Sequence, residues 1–147
     1  MRRKKPRPKR ERRFRGPRLP APPLKLTLTE GATRQVDAAI DEFDAGRFDI
    51  ALTLAGAAEG MIQRDGPHMF AWLRDNPRAA ERFPTKKEWI NLLNRELYWL
   101  KHGGADAMEI DCATAAFVIA RAASKLDVWT SRMKEFGVWL HENVDNI

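Results

Sequence analysis

Cysteine occurs once in this chain, at position 112, and tyrosine once, at position 98. A lone cysteine excludes an internal disulfide and any thiolate-rich metal site, and it fits a reducing compartment. Histidine is nearly as scarce. His68, His102 and His141 lie far apart, with no pair at the helical spacing of zinc or di-iron sites, so neither a metal site nor a cofactor is expected. Serine is confined to Ser124 and Ser131, and neither follows a strand in a sharp turn, which argues against an acyl-transfer hydrolase. No Gly-rich loop ends in Lys-Ser or Lys-Thr, and no βαβ pattern could carry a dinucleotide. Apolar runs stay well short of a membrane span, and prolines rather than an apolar core follow the basic start, so no signal peptide is expected. A cytoplasmic location without a membrane partner is the expectation.

Positive charge is abundant, but in one place. Residues 1–18 carry eleven Lys or Arg against one Glu, a charge of +10, which leaves −4 for the remainder of a chain whose total is +6. The tail therefore sets the basic character, and the rest is mildly acidic. Such a segment cannot bury apolar surface and is expected to be disordered. Arg2, Arg3, Lys4 and Lys5 are candidates for salt-dependent contact with RNA or another polyanion, and a merely solubilising tail is the plainer reading. Residues 19–23 (LPAPP) form a proline-stiffened linker, and 25–29 (KLTLT) alternates like a short strand without a partner, an extended arm. The expected division is a basic, Pro-rich tail over 1–30 and a helical domain over 31–147.

That domain reads as all-α. Val36, Ala39, Ile40 and Phe43 make the inner stripe of a helix over about 32–45, which Gly46 ends. Asp49 is placed to cap a second helix over about 50–64, rich in Ala, where Gly56 and Gly60 predict close approach of another helix. Glu59 interrupts its apolar surface, either as an acid at the edge of the buried face or as a buried support for Arg95 or Arg121. A short helix is predicted over 68–75, and Arg74, Arg78, Arg82, Lys86 and Lys87 make the densest positive patch outside the tail. A long helical segment runs from about 112 to 143, with Asp111 as its N-cap and Ala115, Ala116, Ile119, Ala123, Leu126 and Trp129 inside. Four principal helices in an antiparallel bundle are the predicted architecture.

The best-marked helix lies over 85–104. Thr85 and Glu88 have capping-box spacing, Gly103 and Gly104 follow its end, and Trp89, Leu92, Leu93, Leu97 and Leu100 form an apolar stripe. Asn91, Arg95, Tyr98 and His102 form a second stripe. Arg95 and His102 differ by only about 20° around the axis and about 10 Å along it. A neutral imidazole can take a proton from a hydroxyl, and a guanidinium beside it can stabilise charge building on a phosphate. Those roles suit RNA cleavage by the ribose 2′-hydroxyl, with His102 as general base, Arg95 on the phosphate, and Asn91 and Tyr98 lining the face. A symmetric dimer would supply the second acid–base group. Cys112, at a helix start, is a candidate for a lowered thiol pKa.

The segment Arg95-Glu-Leu-Tyr-Trp-Leu-Lys-His102 resembles the motif of the HEPN family, helical bundles whose ribonuclease members carry an Arg, four to six residues, then a His. Active members usually place Asn, Asp or His after the Arg; Glu96 stands there in this chain. The opening AAIDEFDAGRFDIALTLAGAAEGMI, with its Gly-Arg-Phe turn and Ala-rich helix carrying Glu59, is similar to how many members begin, and the likeness covers roughly residues 32–143. The resemblance implies a metal-independent RNA endonuclease or a non-cutting relative, a homodimer with the motif at its interface, and a toxin–antitoxin or phage-defence setting with an antitoxin-like partner. The alternative is a non-catalytic bundle that binds a protein through its Trp-rich helices, with the tail as a polyanion-binding tether.

Overall fold

The computed structural model describes residues 13–64 and 85–147. Among them the chain is all-helical, with five α-helices, a short 3₁₀ turn at Val144–Asn146 and no strand. We number the helices α1 (Leu28–Asp44), α2 (Phe48–Met61), α3 (Lys86–His102), α4 (Cys112–Ser124) and α5 (Ser131–Asn143). None is long and apolar enough to cross a membrane. The tail candidates Arg2, Arg3, Lys4 and Lys5, the helix expected over 68–75, and Arg74, Arg78 and Arg82 lie outside the described residues.

The first helix begins four residues earlier than its apolar pattern predicts. Thr27 caps it, accepting from the Glu30 amide at 3.1 Å while its own amide donates to the Glu30 carboxylate at 2.7 Å. The capping box therefore absorbs the end of the expected arm, and residues 21–27 ahead of it are exposed and form no regular element. Gly46, at a φ of 76°, turns the chain into α2, a conformation that suits a residue without a Cβ. That helix starts at Phe48 with no side-chain cap, so Asp49 sits inside the first turn, where its charge still favours the helix N-terminus.

The predicted stripe of α1 is buried as a set: Val36, Ala39, Ile40 and Phe43 all belong to the core. They meet Ala51, Leu52, Ala55 and Ala58 of α2 and Ala115, Val118, Ile119 and Ala122 of α4. Small residues on α2 and α4 let these helices approach closely, and each large apolar side chain removed from water contributes roughly 1.5–3 kcal/mol. Met133 and Phe136 of α5 close the core on the α1 side, where Phe43, Phe136 and Trp139 pack ring against ring.

The long segment expected over 112–143 is two helices. After Ser124 the amides of Lys125 and Leu126 turn back to the carbonyls of Ala122 and Ala123, closing α4. Thr130 then opens α5 by accepting from the Met133 amide at 3.2 Å, and its hydroxyl donates to Asp37 of α1 at 2.6 Å. Trp129, expected inside, lies 40% exposed on this connection.

Only one of the two glycines of α2 marks a close helix approach. A Cβ on Gly56 would run into a Leu97 methyl of α3, whereas one on Gly60 would meet nothing within 4 Å among the described residues. Gly60→Ala is therefore expected to stabilise the protein by about 0.5–1 kcal/mol through helix propensity alone. A rise in the thermal midpoint checks this, and a fall would mean that Gly60 makes a contact of its own.

Candidate functional site

The outer stripe predicted for α3 exists as a surface. Both ends of the helix are fixed as its sequence dictates. Thr85 and Glu88 form the capping box, with the Glu88 amide donating to Thr85 Oγ1 at 3.2 Å. At the other end Gly103, at a φ of 73°, donates its amide to the Trp99 carbonyl at 2.7 Å, and the Trp99 indole N–H closes on the Ala105 carbonyl at 2.8 Å. Between these ends Asn91, Arg95, Tyr98 and His102 are all exposed.

The apolar stripe of the same helix is shallower than its pattern predicts. Leu92 is 43% exposed, while Trp89, Leu93, Leu97 and Leu100 are half-buried. The core is built on α1, α2 and α4, and α3 lies against it mainly through α2, with Leu97 over Gly56.

Arg95 is bound sideways along its own helix. Its Nε donates to Glu96 Oε1 at 3.0 Å and its Nη2 to the same oxygen at 2.5 Å. The guanidinium side chain stays 58% exposed while that of Glu96 is only 10% exposed. A carboxylate held in the protein surface thus orients the cation and leaves most of its N–H donors uncommitted. About two turns further on, the His102 ring lies against the Tyr98 ring with centroids 4.5 Å apart. The two basic groups therefore have different local partners, a carboxylate for one and a phenol ring for the other.

Glu59 has the buried role, and its partner is Arg121 rather than Arg95. The acid is 6% exposed and the guanidinium 2%. Arg121 donates from Nε and Nη2 to Glu59 Oε1 at 3.2 and 3.0 Å, and Nη2 lies 2.9 Å from the second carboxylate oxygen. Burial pushes the Arg121 guanidinium down from its ordinary pKa, and the Glu59 charge and hydrogen bonds oppose that effect. The same side chain reaches α3, with Nη1 on the Leu93 carbonyl at 3.0 Å and Nη2 on Asn94 Oδ1 at 2.9 Å. Lys125 adds a bond from Nζ to the Glu59 carbonyl at 3.0 Å, tying α4 to α2 again.

Asn94, Glu96 and Arg121 thus complete a constellation of which the outer stripe names only half. A one-dimensional signal exists for Glu96 and Asn94, since both adjoin Arg95 on the side turned toward the bundle. Arg121 is one of the two partners the sequence offers for Glu59, and nothing in the linear sequence chooses it over Arg95.

Cys112 corrects its expectation. Burial and the neighbouring Asp111 carboxylate push its thiol pKa up, so the helix N-terminus does not yield a reactive thiolate. Asp111 itself caps α4 by accepting from the Thr114 amide at 2.8 Å, as predicted.

Among the described residues no group of His, Cys, Asp and Glu could hold a metal ion. Cavities of about 170 Å³, between α1 and α5, and about 500 Å³, where α2 ends beside the start of α1, are lined by neither Arg95 nor His102. The four residues of the outer stripe of α3 are exposed. No family model, curated protein or solved structure matches the chain.

Proposed function

We propose that this chain is a HEPN-like helical bundle that pairs with a second copy through α3 and cleaves single-stranded RNA without a metal at the Arg95–His102 face. The observation that carries the reading is the pairing of an exposed, carboxylate-oriented guanidinium with an exposed imidazole on one stripe of a helix capped at both ends. Because the stripe residues are exposed, a second copy laid against them is what would enclose a phosphodiester and exclude water.

In this reading the neutral His102 imidazole accepts the 2′-hydroxyl proton. The 2′-oxygen bonds to the adjacent phosphorus, and the bond from phosphorus to the 5′-oxygen breaks. Arg95 stabilises the charge on the non-bridging oxygens, and protonated His102 of the partner subunit gives a proton to the departing 5′-oxygen. The products are a 2′,3′-cyclic phosphate and a 5′-hydroxyl. Asn91 and Tyr98 contact the ribose and base, and Arg2, Arg3, Lys4 and Lys5 add salt-dependent RNA affinity from the tail.

The adaptor reading has less support. Its contact surface is tryptophan, and among the described residues the Trp99 and Trp129 indoles bond to carbonyls of their own chain and Trp139 packs on Phe43 and Phe136. Purified protein incubated with single-stranded RNA in EDTA is expected to yield fragments ending in 2′,3′-cyclic phosphate. Intact RNA, or fragments with 3′-hydroxyl ends, would contradict the proposal.

A further inference from the structure

We infer that Arg121 is a positioning residue for the Arg95–His102 face: reaching from α4, it fixes the place of α3 through the Leu93 carbonyl and the Asn94 side chain. The inference rests on the proposed chemistry for its functional half and on geometry for the rest.

The apolar contact of α3 is shallow. No hydrophobic side chain between Lys86 and His102 belongs to the buried core, and its tightest apolar seat is Leu97 against the bare backbone of Gly56. Such a contact holds a helix near its neighbour but resists rotation and sliding weakly, because a leucine can change rotamer. Directional bonds do that work, and Arg121 supplies two of them side by side. Arg121 donates at 3.0 Å to the Leu93 carbonyl and at 2.9 Å to Asn94 Oδ1, the two residues immediately before Arg95.

Arg121 can act as a reference point because it is itself immobilised. Glu59 of α2 engages both its Nε and its Nη2, and the side chain is almost wholly buried. A planar guanidinium clamped along one edge presents its remaining donors in a fixed fork, so the position of α3 is set from α2 and α4 together. The Leu93 carbonyl can accept this bond on its second lone pair while keeping its place in the helix. Misplacing a reacting group by about 1 Å can cost about 100-fold in rate, so a small slide of α3 would be felt at His102, two turns beyond the clamp.

Asn94 separates this role from simple stabilisation, since its substitution leaves the Glu59–Arg121 pair intact. In RNA cleavage by the full chain, Asn94→Ala is expected to lower kcat about tenfold or more, with KM for RNA changed less than about twofold. Asn94→Asp, which keeps an acceptor for Arg121, should restore kcat to within about threefold of wild type. In amide hydrogen exchange, peptides from 86–102 of Asn94→Ala should exchange about tenfold faster while those of α1 and α2 keep their protection. Faster exchange with unchanged kcat would overturn the positioning role and leave the cleavage reading intact. Unchanged exchange in 86–102 would overturn the claim that Arg121 holds α3. A wild type that cuts no RNA would overturn the Arg95–His102 chemistry itself, and exchange would still decide the structural half.

Discussion

Glu59→Ala is expected to cost about 3–5 kcal/mol of folding stability, because it removes the carboxylate that pairs with a buried guanidinium. Arg121 would keep the Leu93 carbonyl and Asn94 as neutral partners, 3.0 and 2.9 Å away, but neither carries charge. Water would have to enter between α2 and α4, or the arginine would have to leave the core and open the gap it now fills. Roughly 2–4 °C of thermal midpoint per kcal/mol for a domain of this size translates the loss into a drop of about 10 °C. Glu59→Gln should fall between, since the amide oxygen still accepts while its nitrogen faces a cation. Replacing the pair together, Glu59→Leu with Arg121→Met, should recover part of the loss, because an apolar pair carries no desolvation penalty. Thermal and urea unfolding at neutral pH measure all three variants. A Glu59→Ala protein within about 1 kcal/mol of wild type would mean that the pair is solvated in solution.

His102→Ala is expected to reduce RNA cleavage by about 100- to 10,000-fold, the usual contribution of a positioned general base. Stability should hardly change, since the ring is exposed and its described contact is the Tyr98 ring. His102 is the cleaner probe of the face. Arg95→Ala also removes the only described partner of the Glu96 carboxylate, which is 8% exposed, and so should lose about 1–3 kcal/mol as well as activity. Equal thermal midpoints with a lost rate therefore identify His102 as a working group. Cleavage that survives His102→Ala would move the chemistry to another part of the molecule.

Much of the helical order is legible in the residues. The stripe Val36, Ala39, Ile40 and Phe43 is buried because apolar residues recur at helical spacing, and α3 begins at Lys86 because Thr85 and Glu88 satisfy each other's backbone. The same rule, applied to Thr27 and Glu30, would have placed the start of α1. Strand-like alternation in KLTLT competes with that signal, and Gly31 in the first turn lies against the flexible end of Met61, whose methyl would be 2.8 Å from a Cβ. Thr130 shows the reverse case. Its capping signal lies inside a continuous helical pattern, and the break becomes visible only through the Trp129 bond back to Ala123 and the Thr130 bond to distant Asp37.

The candidate site divides along the same line. Asn91, Arg95, Tyr98 and His102 share a face because spacing along one helix fixes direction, and that much is arithmetic. The contact between Glu59 and Arg121 joins residues 62 apart in the chain, and its extension to Leu93 and Asn94 needs a third element brought alongside. Periodicity cannot supply such a meeting, because it describes each helix alone. Depth is not legible for a related reason: the leucines of α3 have the spacing of a core helix, but α2 offers them a shallow seat at Gly56 rather than a groove.

Cleavage rates on one single-stranded RNA in EDTA, compared among wild type, Arg95→Ala, His102→Ala and the double variant, put the shared role of the two groups to the test most directly. Groups that serve one transition state are not additive, so the double variant should cut within about threefold of the slower single variant. Multiplying losses would mean that guanidinium and imidazole act independently, and a single variant that cuts like wild type would remove that residue from the reaction.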